Sequence, residues 1–133
     1  MIKSGVMWIN PTKGRGVFAT TDIKKGEIVE HCETLFSIDP VDVALLTRSP
    51  LVQKIFFNLF SKPEKSVAIA LGNGSLYNHS ETPNMVFYPH VEKKTKLVYI
   101  HFEATQDIGA GDELTIDYTG GGKRNTPLDF IPT

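Results

Sequence analysis

Asp22-Ile23-Lys24-Lys25-Gly26-Glu27-Ile28 returns later in the chain as Asp107-Ile108-Gly109-Ala110-Gly111-Asp112-Glu113-Leu114. The shared pattern is D-I-x-x-G-acidic-(x)-aliphatic. Each copy reads as a turn feeding a strand, with glycine supplying a backbone conformation that other residues resist. Two copies are too few for a solenoid. They predict two similar β-units folded against each other.

The flanking segments support strands. Glu27 to Ile38 alternates, with Ile28, Glu30, Cys32, Thr34, Phe36 and Ile38 on one face and Val29, His31, Glu33 and Leu35 on the other. Neither face is cleanly polar, so this strand is expected to be covered on both sides. Lys96 to Ala104 is rich in aromatic and branched residues and predicts a second strand; Glu113 to Tyr118 predicts a third. Shorter strands are expected at Val6 to Ile9, Gly16 to Thr20 and Val86 to His90. The middle differs. Asp39-Pro40 and Ser49-Pro50 each set a good N-cap before a proline at the first helical position. Leu51, Val52, Ile55, Phe56, Leu59 and Phe60 then form an apolar helical stripe, ended by Lys62-Pro63. The fold class is therefore mainly β with a small helical insert at about 39–62, its stripe packed on the sheet.

Composition narrows the function classes. With 133 residues, 41% of them hydrophobic and 10% aromatic, the chain builds one core and reads as a single folded domain. A net charge of -1 gives no global drive toward nucleic acid or an anionic membrane. The aliphatic run Val67 to Leu71 is far shorter than the ~20 residues of a membrane span. The N-terminus lacks a signal-peptide layout, which predicts an intracellular, cytoplasmic protein. The lone Cys32 closes no intrachain disulfide and builds no Cys-rich zinc cage. His31, His79, His90 and His101 lack metal spacing such as H-x-x-x-H, so no metal site is expected.

Gly14-Arg15-Gly16-Val17-Phe18-Ala19 fits the dinucleotide fingerprint G-x-G-x-x-A in letters only. That motif needs a full helix after it, and the turn at Gly26 leaves no room. The paired glycines suit either a structural turn or close backbone approach to a ligand. Asn78-His79-Ser80 and Asn73-Gly74-Ser75 match the glycosylation sequon, which chance explains in a chain without a secretory signal. Asn78-His79 with Pro83-Asn84 makes a compact polar knot: a hydrogen-bonded loop, or a site for a zwitterion, because an Asn side chain both donates and accepts. There is no Gly-x-Ser-x-Gly elbow and no Walker A sequence. Lys93, Lys94 and Lys96 read as a solvated hairpin tip. Tyr118, before Thr119-Gly120-Gly121-Gly122, puts an aromatic hydroxyl at a strand end beside a flexible hinge.

Taken in order, these segments resemble the SET domain, the fold of a large class of S-adenosylmethionine-dependent protein lysine methyltransferases. Gly14 to Ala19 is similar to the family's first motif, and Lys25-Gly26-Glu27-Ile28-Val29 to its next turn and strand. Leu76-Tyr77-Asn78-His79-Ser80 with Pro83-Asn84 is similar to its N-H-S-x-x-P-N segment, and Gly111 to Tyr118 to its G-E-E-L-T-x-D-Y end. The short form resembles the minimal stand-alone SET proteins of large algal viruses and of bacteria. The resemblance implies a β-clip-like fold with a C-terminal pseudo-knot, a SET domain over residues 1–119, and a Gly-hinged tail over 120–133 without a zinc post-SET module. It implies that backbone at Gly14, Arg15 and Gly16 binds the methionine part of the cofactor. Asn78 would hold its amino and carboxylate end, and His79 would meet adenine through its main chain. Tyr118 would be catalytic and would also touch the cofactor, with S-adenosylhomocysteine as product and no metal. Tyr77, Phe87, Phe130 and Cys32 would line the lysine channel, although Cys32 equally suits a small buried hydrophobe.

The expected partner is a protein or peptide lysine, a histone among the options, met in a local groove rather than through net charge. A histone substrate would place the protein in a host nucleus. The minimal viral members are dimers, so a partner chain could help cover the site. Two other readings stay open: a non-catalytic module of the same fold that binds peptide or cofactor, and a β-rich carbohydrate-binding or structural domain of similar topology.

Overall fold

Ile23 and Ile108, equivalent residues of the two repeats, lie opposite each other and exchange two backbone hydrogen bonds of 2.8 Å. The computed structural model describes residues 3–37, 56–57 and 67–117. Within them the repeats clasp each other reciprocally. Asp22 Oδ1 accepts the Ala110 N–H at 3.0 Å, and Asp107 Oδ1 accepts the Lys25 N–H at 2.9 Å. Inside each turn, Glu27 accepts from Lys24 N–H and Asp112 from Gly109 N–H, both at 3.1 Å. Gly26 and Gly111 close the turns at φ of 88° and 92°, a region where a side chain costs energy. Their N–H groups donate to Ala104 and Ala19 carbonyls, each at 2.8 Å. Two similar β-units do fold against each other, about a local two-fold axis.

The strands then change partners. β1 (Ser4–Asn10) and β2 (Gly14–Ala19) form one hairpin; β7 (Met85–Val91) and β8 (Val98–Ala104) form another. β3 (Ile28–Ser37), which follows the first turn, pairs with β8 of the second unit. The chain after the second turn returns to β2, through the Phe18–Glu113 bridge and a 2.8 Å bond from Leu114 N–H to Val17 O. β4 (Phe56–Phe57) and β5 (Val67–Ala70) extend β3's other edge, giving the five-stranded order β4-β5-β3-β8-β7. The last pair is β6 (Asn78–His79) with β9 (Thr115–Ile116).

The core gathers inward-facing residues of both units: Val17, Ala19 and Ile23 against Ile100, Phe102, Ala104, Ile108 and Leu114. All six expected strands are present, and Lys93 and Lys94 sit exposed at the β7–β8 tip. Two expectations need correction. β3 is not covered on both sides: His31, Glu33 and Leu35 are exposed, while Val29 and Cys32 are buried. A register shift between Ile28 and Glu30 turns Val29 inward. On the open face, ring contacts of His31 with Tyr99 and His101 take the place of a covering layer. Phe56 and Phe57, within the expected helical stripe, are instead extended and pair with Ile69 and Ala68 of β5. Aromatic residues suit a pleated surface, and β5 offers them a free edge. The rest of the expected insert at 39–62, and the tail at 120–133, lie outside the described residues.

Candidate functional site

The polar knot is a crossing of two strands. β6 and β9 run parallel, with Asn78 beside Thr115 and His79 beside Ile116. Parallel neighbours need a long connection, and here it runs through β7, β8 and the second turn. Ser80 N–H extends the crossing to Ile116 O at 2.9 Å. Asn84 locks it like a backbone group: its Nδ2 donates to Glu113 O at 2.9 Å, and its Oδ1 accepts Thr115 N–H at 3.0 Å.

The crossing brings Asn78 against the β1–β2 hairpin. Asn78 Nδ2 donates to Arg15 O at 3.0 Å and to Glu113 Oε2 at 2.8 Å. Both neighbours are acceptors, which fixes the orientation of the amide. Arg15 reaches the same segment from the other side, donating from Nη1 to Leu76 O at 2.7 Å. Gly14 turns the hairpin at φ 73°. Gly16 faces Glu113 so closely that a Cβ there would stand 2.7 Å from Glu113 Oε2 and 2.7 Å from Ile9 Cδ1. The structure thus brings Gly14, Arg15, Gly16 and Asn78 together. His79 projects outward, its Nδ1 3.7 Å from Asp117 Oδ1. Tyr118 and Phe130 lie outside the described residues.

Behind the crossing, Tyr77 and Cys32 are buried at 1% and 2% exposure, and Tyr77 packs on Phe102 at a ring distance of 4.7 Å. Phe87 packs on Phe102 at 6.2 Å and is half-buried. The Tyr77 hydroxyl donates to Glu30 Oε1 in a very short contact, and Glu30 Oε2 accepts the Asn73 N–H at 2.9 Å. Burial, reinforced by the Glu30 carboxylate, pushes both the Tyr77 hydroxyl and the Cys32 thiol far above their ordinary values. Both stay neutral at physiological pH. Glu30, which alternation sets on one face with Ile28, Cys32 and Phe36, ties the segment leading into Asn78 to the sheet. A carboxylate amid apolar strand residues is the one sequence signal it left.

A profile of the SET domain matches residues 14–119 of this chain. The chain belongs to the SET-domain family. SET domains are in general lysine methyltransferase domains that use S-adenosylmethionine and act on protein or peptide lysines. Among solved structures, a Plasmodium falciparum protein named "putative histone methyltransferase" superposes at TM-score 0.68 and 27% identity, covering 94% of this chain and 99% of that one. CpSET8 of Cryptosporidium superposes at TM-score 0.66 and 24% identity, over 86% of this chain and 56% of its own; it speaks to the fold alone. A search of curated proteins gives no significant match.

In a SET domain of this build, the residues fit an amino-acid cofactor end. At Gly16 the missing side chain admits Glu113 and Ile9, which sets the β2 backbone and Glu113 close beside Asn78. Asn78 has engaged Nδ2 with two acceptors, so what its side chain still offers is the acceptor Oδ1. That matches an ammonium group better than a carboxylate.

Proposed function

We propose that this SET-domain protein is an S-adenosylmethionine-dependent protein lysine N-methyltransferase. The observation that carries the reading is the parallel crossing of β6 on β9, with Asn78 bonded to the Gly14–Gly16 hairpin. Gly14, Arg15 and Gly16 would hold the methionine part through their backbone, Asn78 Oδ1 the ammonium, and the main chain at His79 the adenine. When bound, the cofactor supplies a methyl group on a sulfonium and leaves as S-adenosylhomocysteine.

The chain's own task is alignment and deprotonation. An in-line displacement needs the lysine nitrogen held in line with the methyl, and orientation supplies much of the rate. At a reference pKa of ~10.4, only about one lysine in a few thousand is neutral at pH 7. A narrow channel lined by Phe87 and Phe130, with Tyr77 and Cys32 buried behind it, would disfavour the ammonium by desolvation. Tyr118, which follows Asp117 directly, would position the amine and polarise the reacting centre without acting as a strong base. The substrate would be a lysine in a protein or peptide, histones included, inside a cell.

The test incubates the protein with methyl-labelled S-adenosylmethionine and mixed histones and lysate proteins, beside Tyr118→Phe. Label transferred by wild type and lost in the variant is expected. Cofactor binding without label would leave the non-catalytic module, and a Tyr118→Phe protein of full rate would remove the tyrosine's role.

A further inference from the structure

Glu113 is the acidic side chain that the crossing turns toward Asn78, and its backbone leaves it little freedom. Its antiparallel bridge to Phe18 is flanked by two hydrogen bonds, Ala19 N–H to Asp112 O at 2.9 Å and Leu114 N–H to Val17 O at 2.8 Å. Asn84 Nδ2 donates to the Glu113 carbonyl at 2.9 Å. The side chain is only 19% exposed. Its Oε2 accepts from Asn78 Nδ2 at 2.8 Å, and its Oε1 lies 3.8 Å from Lys13 Nζ. Gly16 completes the seat: a Cβ there would stand 2.7 Å from Oε2, so glycine leaves the carboxylate where it is.

A primary amide has two N–H donors and one acceptor oxygen, and turning it over exchanges them. At Asn78 the donor end meets two acceptors, Arg15 O at 3.0 Å and Glu113 Oε2. A reversed amide would set its oxygen against both. Of the two holds, Glu113 is the stronger, because a hydrogen bond to an ionised acceptor is about twice as strong as a neutral one. The carboxylate also acts beyond that bond. Largely shielded from water, its field is screened less than that of a surface charge. It therefore favours a cation over an anion at the Asn78 oxygen. Lys13 does not cancel it, since the lysine is 59% exposed and so loose a solvated pair contributes little.

We propose that Glu113 is a positioning residue for the amino-acid end of S-adenosylmethionine. Through Asn78 it presents the carboxamide oxygen, and through its charge it selects an α-ammonium at that point over a neutral or anionic group. The inference rests on the methyltransferase reading above and deepens it: the polarity of the Asn78 contact comes from β9's approach, outside the Gly14–Gly16 hairpin.

The test is titration calorimetry at neutral pH with two ligands: S-adenosylhomocysteine, and its analogue carrying hydrogen in place of the α-amino group. Wild type should bind the first more tightly. In Glu113→Gln that preference should shrink by about tenfold, the difference between a charged and a neutral hydrogen bond, with affinity for the analogue unchanged. A merely structural role would weaken both ligands alike. A folded Glu113→Gln protein with the wild-type preference would therefore overturn the proposal alone, as would equal losses for both ligands. Wild type binding neither ligand would overturn the methyltransferase reading, and this proposal with it. Circular dichroism checks the fold of the variant. Where the variant does not fold, hydrogen exchange of the Asn78 side-chain amide in wild type decides, read by NMR. Both of its protons should exchange more slowly than those of the exposed Gln106, and one fast proton would overturn the proposal.

Discussion

Replacing Glu30 should damage the protein more than its place on an alternating strand suggests. In Glu30→Ala, the Tyr77 hydroxyl, 1% exposed with its residue, loses its carboxylate acceptor, and the Asn73 N–H loses Glu30 Oε2. A hydrogen bond to a charged group is worth about 1.5–3 kcal/mol, so two give about 3–6 kcal/mol. Glu30 is itself only half-buried, and water entering the gap recovers part of this. We expect a loss of about 3 kcal/mol, close to 10 °C in Tm for a chain of this size. Glu30→Gln should fall between, since one amide oxygen can accept from only one of the two donors with good geometry. Urea denaturation of wild type, Glu30→Gln, Tyr77→Phe and the double variant completes a cycle, in which direct contact predicts coupling of at least about 0.5 kcal/mol. A Glu30→Ala protein within about 0.5 kcal/mol of wild type, the range of ordinary surface substitutions, would refute the reasoning.

The two turn glycines should behave as twins. Gly26 and Gly111 share a positive φ, and a Cβ at either would meet nothing within 4 Å, so Gly26→Ala and Gly111→Ala should each cost about 1–2 kcal/mol of backbone strain alone, measurable by urea denaturation. His101 resists protonation in the folded state until about pH 4, because burial and the neighbouring His90 and His31 disfavour its charge, while the unfolded chain takes the proton near its ordinary 6.5. Stability is therefore full above pH 6.5 and is lost as pH falls from 6.5 toward 4; Tm against pH should flatten over that window in His101→Gln. Asn78→Asp should abolish measurable S-adenosylmethionine binding by calorimetry, because it removes the donor to Arg15 O and sets a second carboxylate against Glu113, whose Oε2 stands 2.8 Å from the present amide.

What could be read in the chain was local. Alternation placed β3 and a run of aromatic and branched residues placed β8, because both patterns mark a strand without knowledge of its partner. The repeated D-I-x-x-G pattern announced the two glycine turns, since the positive φ at Gly26 and Gly111 is a need local to each copy; that each Asp accepts an N–H of the other copy was not written locally. The grouping of Gly14, Arg15, Gly16 and Asn78 was legible through family resemblance, not spacing. Partnerships across long separations were hidden. The acceptor role of Glu30 depends on Tyr77, 47 residues further on, and the histidines looked scattered because His31, His90 and His101 meet only through strand pairing. Phe56 belonged to a helical stripe, yet it and Phe57 pair with the edge of β5.

The exchange of strands between the two units has a consequence for synthesis. The hairpin of β1 and β2 emerges from the ribosome well before the segment that completes it, at Glu113 and Leu114. β3 likewise waits for β8. Contacts so distant in sequence make folding slow, and neither unit can bury its half of the core alone. The nascent chain therefore carries open strand edges for most of its translation. The edges of β2 and β3 gain their partners only once the chain has passed β8 and the second glycine turn.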